Sequence, residues 1–285
     1  MKIHTIVKNI GWLAVLPIMG VSTAGAVVVY SADFTDTNTF TNGALNGQDG
    51  WATSNSGAVI GVTGATVDGF KDHVNGSGAT VVSGATYTST VTFTYTDNSG
   101  GVGNGPHFGA SIYNGSSADA EEINIMLKRS GNNSYRLGLY TNWGNTNASV
   151  GFQQSGTFSG VDIGFVPDAN DPMLNDVFSD VLRLSITLTA GADANSWNAT
   201  GRLFNVTTNT EVQTWNSTPA NNLVFAAADG TSIYGGFGGG QSNSNQNIQD
   251  RTALEYSFES SVPEPSSLVL VSLGALGFTM RRRRN

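Results

Sequence analysis

The ten residues Tyr87-Thr88-Ser89-Thr90-Val91-Thr92-Phe93-Thr94-Tyr95-Thr96 decide the fold class. Tyr87, Val91, Phe93 and Tyr95 fall on one side of an extended chain, and threonine holds the other side throughout. A period of two marks a strand with one buried and one wet face. The same period recurs in Leu182–Thr189, Ile123–Lys128, Tyr135–Tyr140 and Leu254–Phe258. Turn-forming clusters separate these runs at Asp97–Gly101, Ser130–Asn133 and Ala190–Asp193. Ser130–Ser134 divides two strand candidates, which predicts a hairpin. No stretch of the body sustains a 3.6-residue apolar period. Pro172–Ser179, with Met173, Leu174, Val177 and Phe178, is expected to make one short helix at most. The body between residues 27 and 261 therefore reads as all-β, a single antiparallel β-sandwich.

Composition agrees with that reading. Charged residues are only 12% of the 285, and 36 glycines accompany abundant Thr, Ser and Asn. Six of the 13 basic residues lie at the ends (Lys2, Lys8 and Arg281 to Arg284), so the net charge of −8 understates the acidity of the body. A body so acidic repels phosphate backbones, which excludes nucleic acid as a partner. With no cysteine in the chain, neither disulfides nor thiol chemistry are available.

Both ends read as addresses. Lys2 and Lys8 precede an apolar run, Ile10–Val21, and Ala24-Gly25-Ala26 offers small side chains at the −3 and −1 positions. This is the layout of a secretory signal peptide over residues 1–26, a signal helix in the precursor, to be cut by signal peptidase after Ala26. At the other end Ser266–Met280 carries no charge. A helix there covers about 22 Å, short of the roughly 30 Å hydrocarbon core, so it spans only a thinned bilayer. Arg281, Arg282, Arg283 and Arg284 would stay on the cytoplasmic side, leaving the body outside.

Pro263-Glu264-Pro265, Ser266-Ser267, a Leu/Val/Gly-rich helix and a terminal arginine run together resemble the PEP-CTERM sorting tail of exported bacterial proteins. The resemblance covers residues 262–285. It implies a short transmembrane helix that holds the precursor transiently in the membrane. It also implies cutting near Pro263-Glu264-Pro265 by an exosortase, a membrane-embedded cysteine transpeptidase. The destination is then the cell surface or the extracellular space, often among exopolysaccharide. A looser resemblance concerns the body. "DFTDTNTFTNGALNGQDGWATS" at its start and "LRLSITLTAGADANSWNATGRLFN" late in the chain are similar to the concanavalin-like, or laminin-G-like, jelly rolls. That likeness implies pairing of the first and last body strands, with Asp33-Phe34 near Tyr256–Phe258.

Chemistry is sparse. Laminarinase-type hydrolases of the concanavalin-like fold carry Glu-x-Asp-x-Glu on one strand face, because retaining glycosidases need two carboxyl groups about 5 Å apart. Glu122, Asn124 and Met126 fill those positions here, and Met126 can donate no proton. No catalytic residue is therefore assigned. A glycoside hydrolase stays as the alternative to a non-catalytic, structural or carbohydrate-contacting surface protein. His73 and His107 lack metal-ligand spacing and read as surface or turn histidines. Gly235–Gly240 lacks a phosphate-cradling lysine and reads as a loop or a tightly packed strand end. Asp168, Asn170 and Asp171, followed by Asp176 and Asp180, gather hard oxygen ligands of the kind calcium takes; a solvated acidic loop is the alternative. Extracellular polysaccharide would need an aromatic platform beside amides. Trp143, Trp197 and Trp215, each among Asn, Ser and Thr, are the candidates, with edge-strand packing the equal alternative for each, whereas Trp51 is expected in the core.

Overall fold

The computed structural model describes residues 25–53, 58–67, 71–97, 107–131, 133–141, 153–166, 176–191, 197–216, 225–240 and 251–261. All of them belong to one compact unit, Gly25–Val262. The signal and tail segments, residues 1–24 and 262–285, lie outside the described residues. Among the described residues no helix is long and apolar enough to cross a membrane.

The chain opens with β1 (Val27–Asp33), β2 (Gly43–Ala44), β3 (Trp51–Thr53), β4 (Val59–Gly61), β5 (Gly64–Val67), β6 (Lys71–Thr80) and β7 (Thr86–Asp97). It continues with β8 (His107–Tyr113), β9 (Glu122–Gly131), β10 (Ser134–Thr141), β11 (Gln153–Gln154) and β12 (Phe158–Ser159). After a 3-10 turn at Gly160–Ile163 come β13 (Phe165–Val166), β14 (Asp176–Phe178) and β15 (Leu182–Ala190). The last strands are β16 (Trp197–Asn205), β17 (Thr210–Asn216), β18 (Ser232–Gly240) and β19 (Arg251–Ser261).

Two antiparallel sheets result. The larger runs β17-β16-β15-β7-β19-β5-β4-β2, with β1 added to β19, and the smaller runs β11-β10-β9-β8-β18-β6-β3. The threonine-faced run is β7, at the middle of the larger sheet between β15 and β19. Tyr87, Val91, Phe93 and Tyr95 are buried, as the alternation predicts. One apolar core joins these residues to Leu184, Ile186 and Leu188 of β15 and to Ile123, Ile125 and Leu127 of β9. Interdigitation of two inner faces in this way is what stabilises a sandwich. Trp51 belongs to that core, ringed by Tyr30, Phe34, Phe237 and Tyr256 at 5.1–5.7 Å between ring centroids.

The hairpin at Ser130–Ser134 is present, with Gly131 paired to Ser134. The first and last body strands also pair, Asp33 against Glu255 and Ala32 against Tyr256. Other positions depart from expectation. Asp176–Phe178, within the span allowed a short helix, is strand β14: Val177 pairs with Thr96 and Phe178 with Phe165. Backbone partners were available on both sides, in β13 and β7. His73 is not a surface or turn residue but fully buried in β6. Its Nε2 accepts from the Ala58 amide at 2.7 Å, and its ring stacks on Phe237 at 4.8 Å. Gly235–Gly240 is the body of β18. A Cβ at Gly235 would fall onto the Tyr256 hydroxyl and the Phe258 ring, so only glycine lets the two sheets approach there.

Candidate functional site

Two sheet faces carry polar chemistry, and they differ in access. The first is the outer face of the smaller sheet, where Glu122, Asn124 and Met126 project. The sequence pattern gives this face to water, yet all three side chains are buried. Ser111 pairs with Asn124 and Tyr113 with Glu122, so four oxygen-bearing side chains form a block on adjacent strands. Asn124 Nδ2 donates to Glu122 Oε1 at 2.9 Å. The Tyr113 hydroxyl is pushed well up in pKa by burial and by the nearby charges of Glu122 and Asp72. Part of the cover is the β8–β9 connection, whose Ala118 packs with Tyr113 and Val74. The geometry offers Glu122 an amide rather than a second carboxylate, so the two-carboxyl arrangement of a glycosidase is missing from this strand.

The second face is the outer side of the larger sheet, where a groove of about 490 Å³ is lined by Ser31, Asp33, Thr90, Thr92, Arg183, Glu255, Ser257 and Glu259, among others. Strand register arranges these residues in rows. Arg183, Thr92, Glu255 and Asp33 stand directly across four adjacent strands. The next row is Ser185, Thr90, Ser257 and Ser31, hydroxyls throughout. A third brings Thr187, Thr88 and Glu259 together, with Thr88 and Thr187 hydroxyls 2.9 Å apart. Neighbouring strands lie about 4.8 Å apart, so each row is a ladder of polar groups at that spacing. Hydroxyls both donate and accept, and the flanking guanidinium and carboxylates add charge-assisted partners. Asp33 is partly committed elsewhere, its Oδ1 accepting from the Thr35 amide at 2.9 Å and from the Thr35 hydroxyl at 2.6 Å.

The residues singled out from sequence are scattered. Trp197 is no exposed platform: it is 5% exposed, edge-on to Phe225 at 5.5 Å and packed on Tyr87. Its strand alternates Trp197, Ala199, Gly201 and Leu203 inward, which overrides its polar neighbours in sequence. Trp215 is half-buried at the edge of the core, across from Gly201 in register. Trp143 lies outside the described residues, as do Asp168, Asn170 and Asp171. Asp180 accepts from Asn205 Nδ2 at 2.6 Å and from the Ser179 hydroxyl at 3.0 Å, which ties β15 to the end of β16. No three His, Asp or Glu side chains converge to hold a metal among the described residues. Ala26 is exposed just before β1; Ala24, Pro263, Glu264, Pro265 and Arg281 to Arg284 fall outside the described residues. The groove escaped sequence reading because its rows join strands about ninety residues apart or more. The threonine face of β7 was its one local signal.

Residues 261–284 match the PEP-CTERM protein-sorting motif. The chain thus carries the sorting signal of an exported, cell-surface-associated protein. No curated protein matches the sequence. Among solved structures, the chain is similar to peanut lectin with a nine-residue peptide, at 10% identity over 83% of this chain and 98% of that one, TM-score 0.47. It is similar to lectin I of Ulex europaeus in complex with the methyl glycoside of α-L-fucose, at 12% identity over 81% and 98%, TM-score 0.43. A lectin of Bauhinia forficata in complex with GalNAc is similar at 11% identity over 82% and 99%, TM-score 0.44.

Proposed function

We propose that this is a non-catalytic surface or matrix protein whose sandwich contacts extracellular polysaccharide through the groove on the larger sheet. Signal peptidase would release the body at Ala26, and an exosortase would cut the tail near Pro263-Glu264-Pro265. The observation that carries the reading is the row Ser185, Thr90, Ser257 and Ser31 beside Arg183, Thr92, Glu255 and Asp33. An extended glycan presents hydroxyls at intervals close to the strand spacing, so sugar after sugar finds a donor–acceptor partner along such a row. Many weak contacts of this kind favour long chains over single sugars. Neither groove nor row calls for a metal or cofactor; calcium stays a proposal for Asp168, Asn170 and Asp171.

A second reading, a polysaccharide-acting glycoside hydrolase, draws on Asp33 and Glu255. They stand directly opposite each other on the neighbouring strands β1 and β19, the kind of carboxylate pair a retaining glycosidase needs. Against it, both residues are exposed, and Asp33 is engaged by Thr35. Glycan-array binding run beside an assay for new reducing ends separates the readings. Binding without hydrolysis is expected; turnover that vanishes in Glu255→Gln would establish the enzyme instead.

A further inference from the structure

The end of the body is bound into the sheet up to the point where the sorting motif begins. On β7, Tyr87 pairs with Ser260 and Thr86 with Ser261. On the opposite side, β1 places Val28 against Glu259 and Val27 against Ser260. The sorting motif begins at residue 261, the last residue of β19. Only Val262 stands between that strand and Pro263-Glu264-Pro265. Two residues of extended chain reach about 7 Å, less than the roughly 10 Å that separates two packed sheets.

Peptide-cutting enzymes commonly hold the substrate extended, through main-chain hydrogen bonds to residues on both sides of the cut. The backbone groups of Ser260 and Ser261 cannot serve the sheet and such a cleft at once. From the reading that the tail is cut near Pro263-Glu264-Pro265, we infer that cutting takes place on a form of the protein in which the end of β19 has left the sheet. Sorting then acts on an opened end of the sandwich.

The hold on that end is uneven. Val27 and Val28 are 66% and 57% exposed, so the start of β1 buries little. Phe258 is fully buried, its ring lying against Gly235. The opening therefore runs from Ser261 back to Glu259 and stops at Phe258. Strand ends of this kind open at far lower cost than the whole domain. In the chemistry of a cysteine transpeptidase, a thiolate attacks a peptide carbonyl and the tail departs as an amine that takes up the proton. The body stays on the enzyme as a thioester until an amine acceptor or water displaces it.

A disulfide tests the order of events, since the chain has no cysteine of its own. Thr86→Cys with Ser261→Cys joins the last register pair of β7 and β19. In cells that carry the exosortase, the fraction of chain still bearing Arg281 to Arg284 is read by mass spectrometry. The oxidised double variant should be cut at least about tenfold more slowly than wild type, because its strand end no longer opens. Ser261→Cys alone should be cut normally. A flexible insert of about eight residues after Ser261 should restore cutting in the locked protein. Wild-type cutting of the locked protein, or no rescue by the insert, would overturn the inference. A wild-type chain that keeps its tail would overturn the processing reading itself, and this inference with it.

Discussion

Asp33 and Glu255 occupy directly opposed positions on β1 and β19, so two carboxylates share one edge of an exposed groove. Like charges placed across a strand pair destabilise the sheet. Glu255→Gln should therefore raise stability in urea by about 0.5 kcal/mol, while weakening retention on a polysaccharide column. Unchanged or stronger retention in Glu255→Gln would remove Glu255 from the ligand face.

Glu122 illustrates the opposite case, a carboxylate built into the structure. Removing it in Glu122→Ala strands the Asn124 amide donor in a sealed site and should cost about 1–3 kcal/mol in a denaturation midpoint. Glycan binding at native conditions should be unchanged. Glu122→Gln keeps an acceptor for that amide and should be the milder change.

Trp197 is expected to matter for stability alone. Truncation to Ala empties the space between Tyr87 and Phe225 and should cost about 3–5 kcal/mol. Thermal melts and glycan binding of the surviving folded fraction separate the two effects.

Burial, together with Asp119, raises the Asp72 carboxyl to about 7. The folded state therefore holds a proton that the unfolded chain releases near its ordinary value of about 3.9. Asp72 leaves stability intact at low pH, and its contribution is lost as pH rises through about 7. Asp72→Asn should flatten this part of the profile and raise the Tm above pH 7 relative to wild type.

The strands were legible wherever a period of two was unbroken. Thr88, Thr90, Thr92 and Thr94 announce an outer face, and Tyr87, Val91, Phe93 and Tyr95 a core. What local pattern could not carry was register. Nothing in the sequence near Thr92 says that Arg183 and Glu255 flank it, because each pairing closes a loop of about ninety residues or more. Trp197 misled for a related reason: its neighbours Asn198 and Thr200 are polar because they face outward, which leaves the indole facing in. The buried outer face of β9 depends on cover from the chain around Ala118, which no alternation in β9 itself records.

Affinity electrophoresis tests the carbohydrate reading most directly. The purified mature protein is run through gels containing long neutral or acidic exopolysaccharides, alongside Thr90→Val with Ser257→Ala. That pair removes two hydroxyls from the middle of the row while keeping strand-compatible side chains. Wild type should be retarded, with no new reducing ends, and the double variant should bind about tenfold or more weakly, as two lost hydrogen bonds of about 1 kcal/mol each imply. Equal retardation of both proteins, or none of either, would contradict the assignment of the groove.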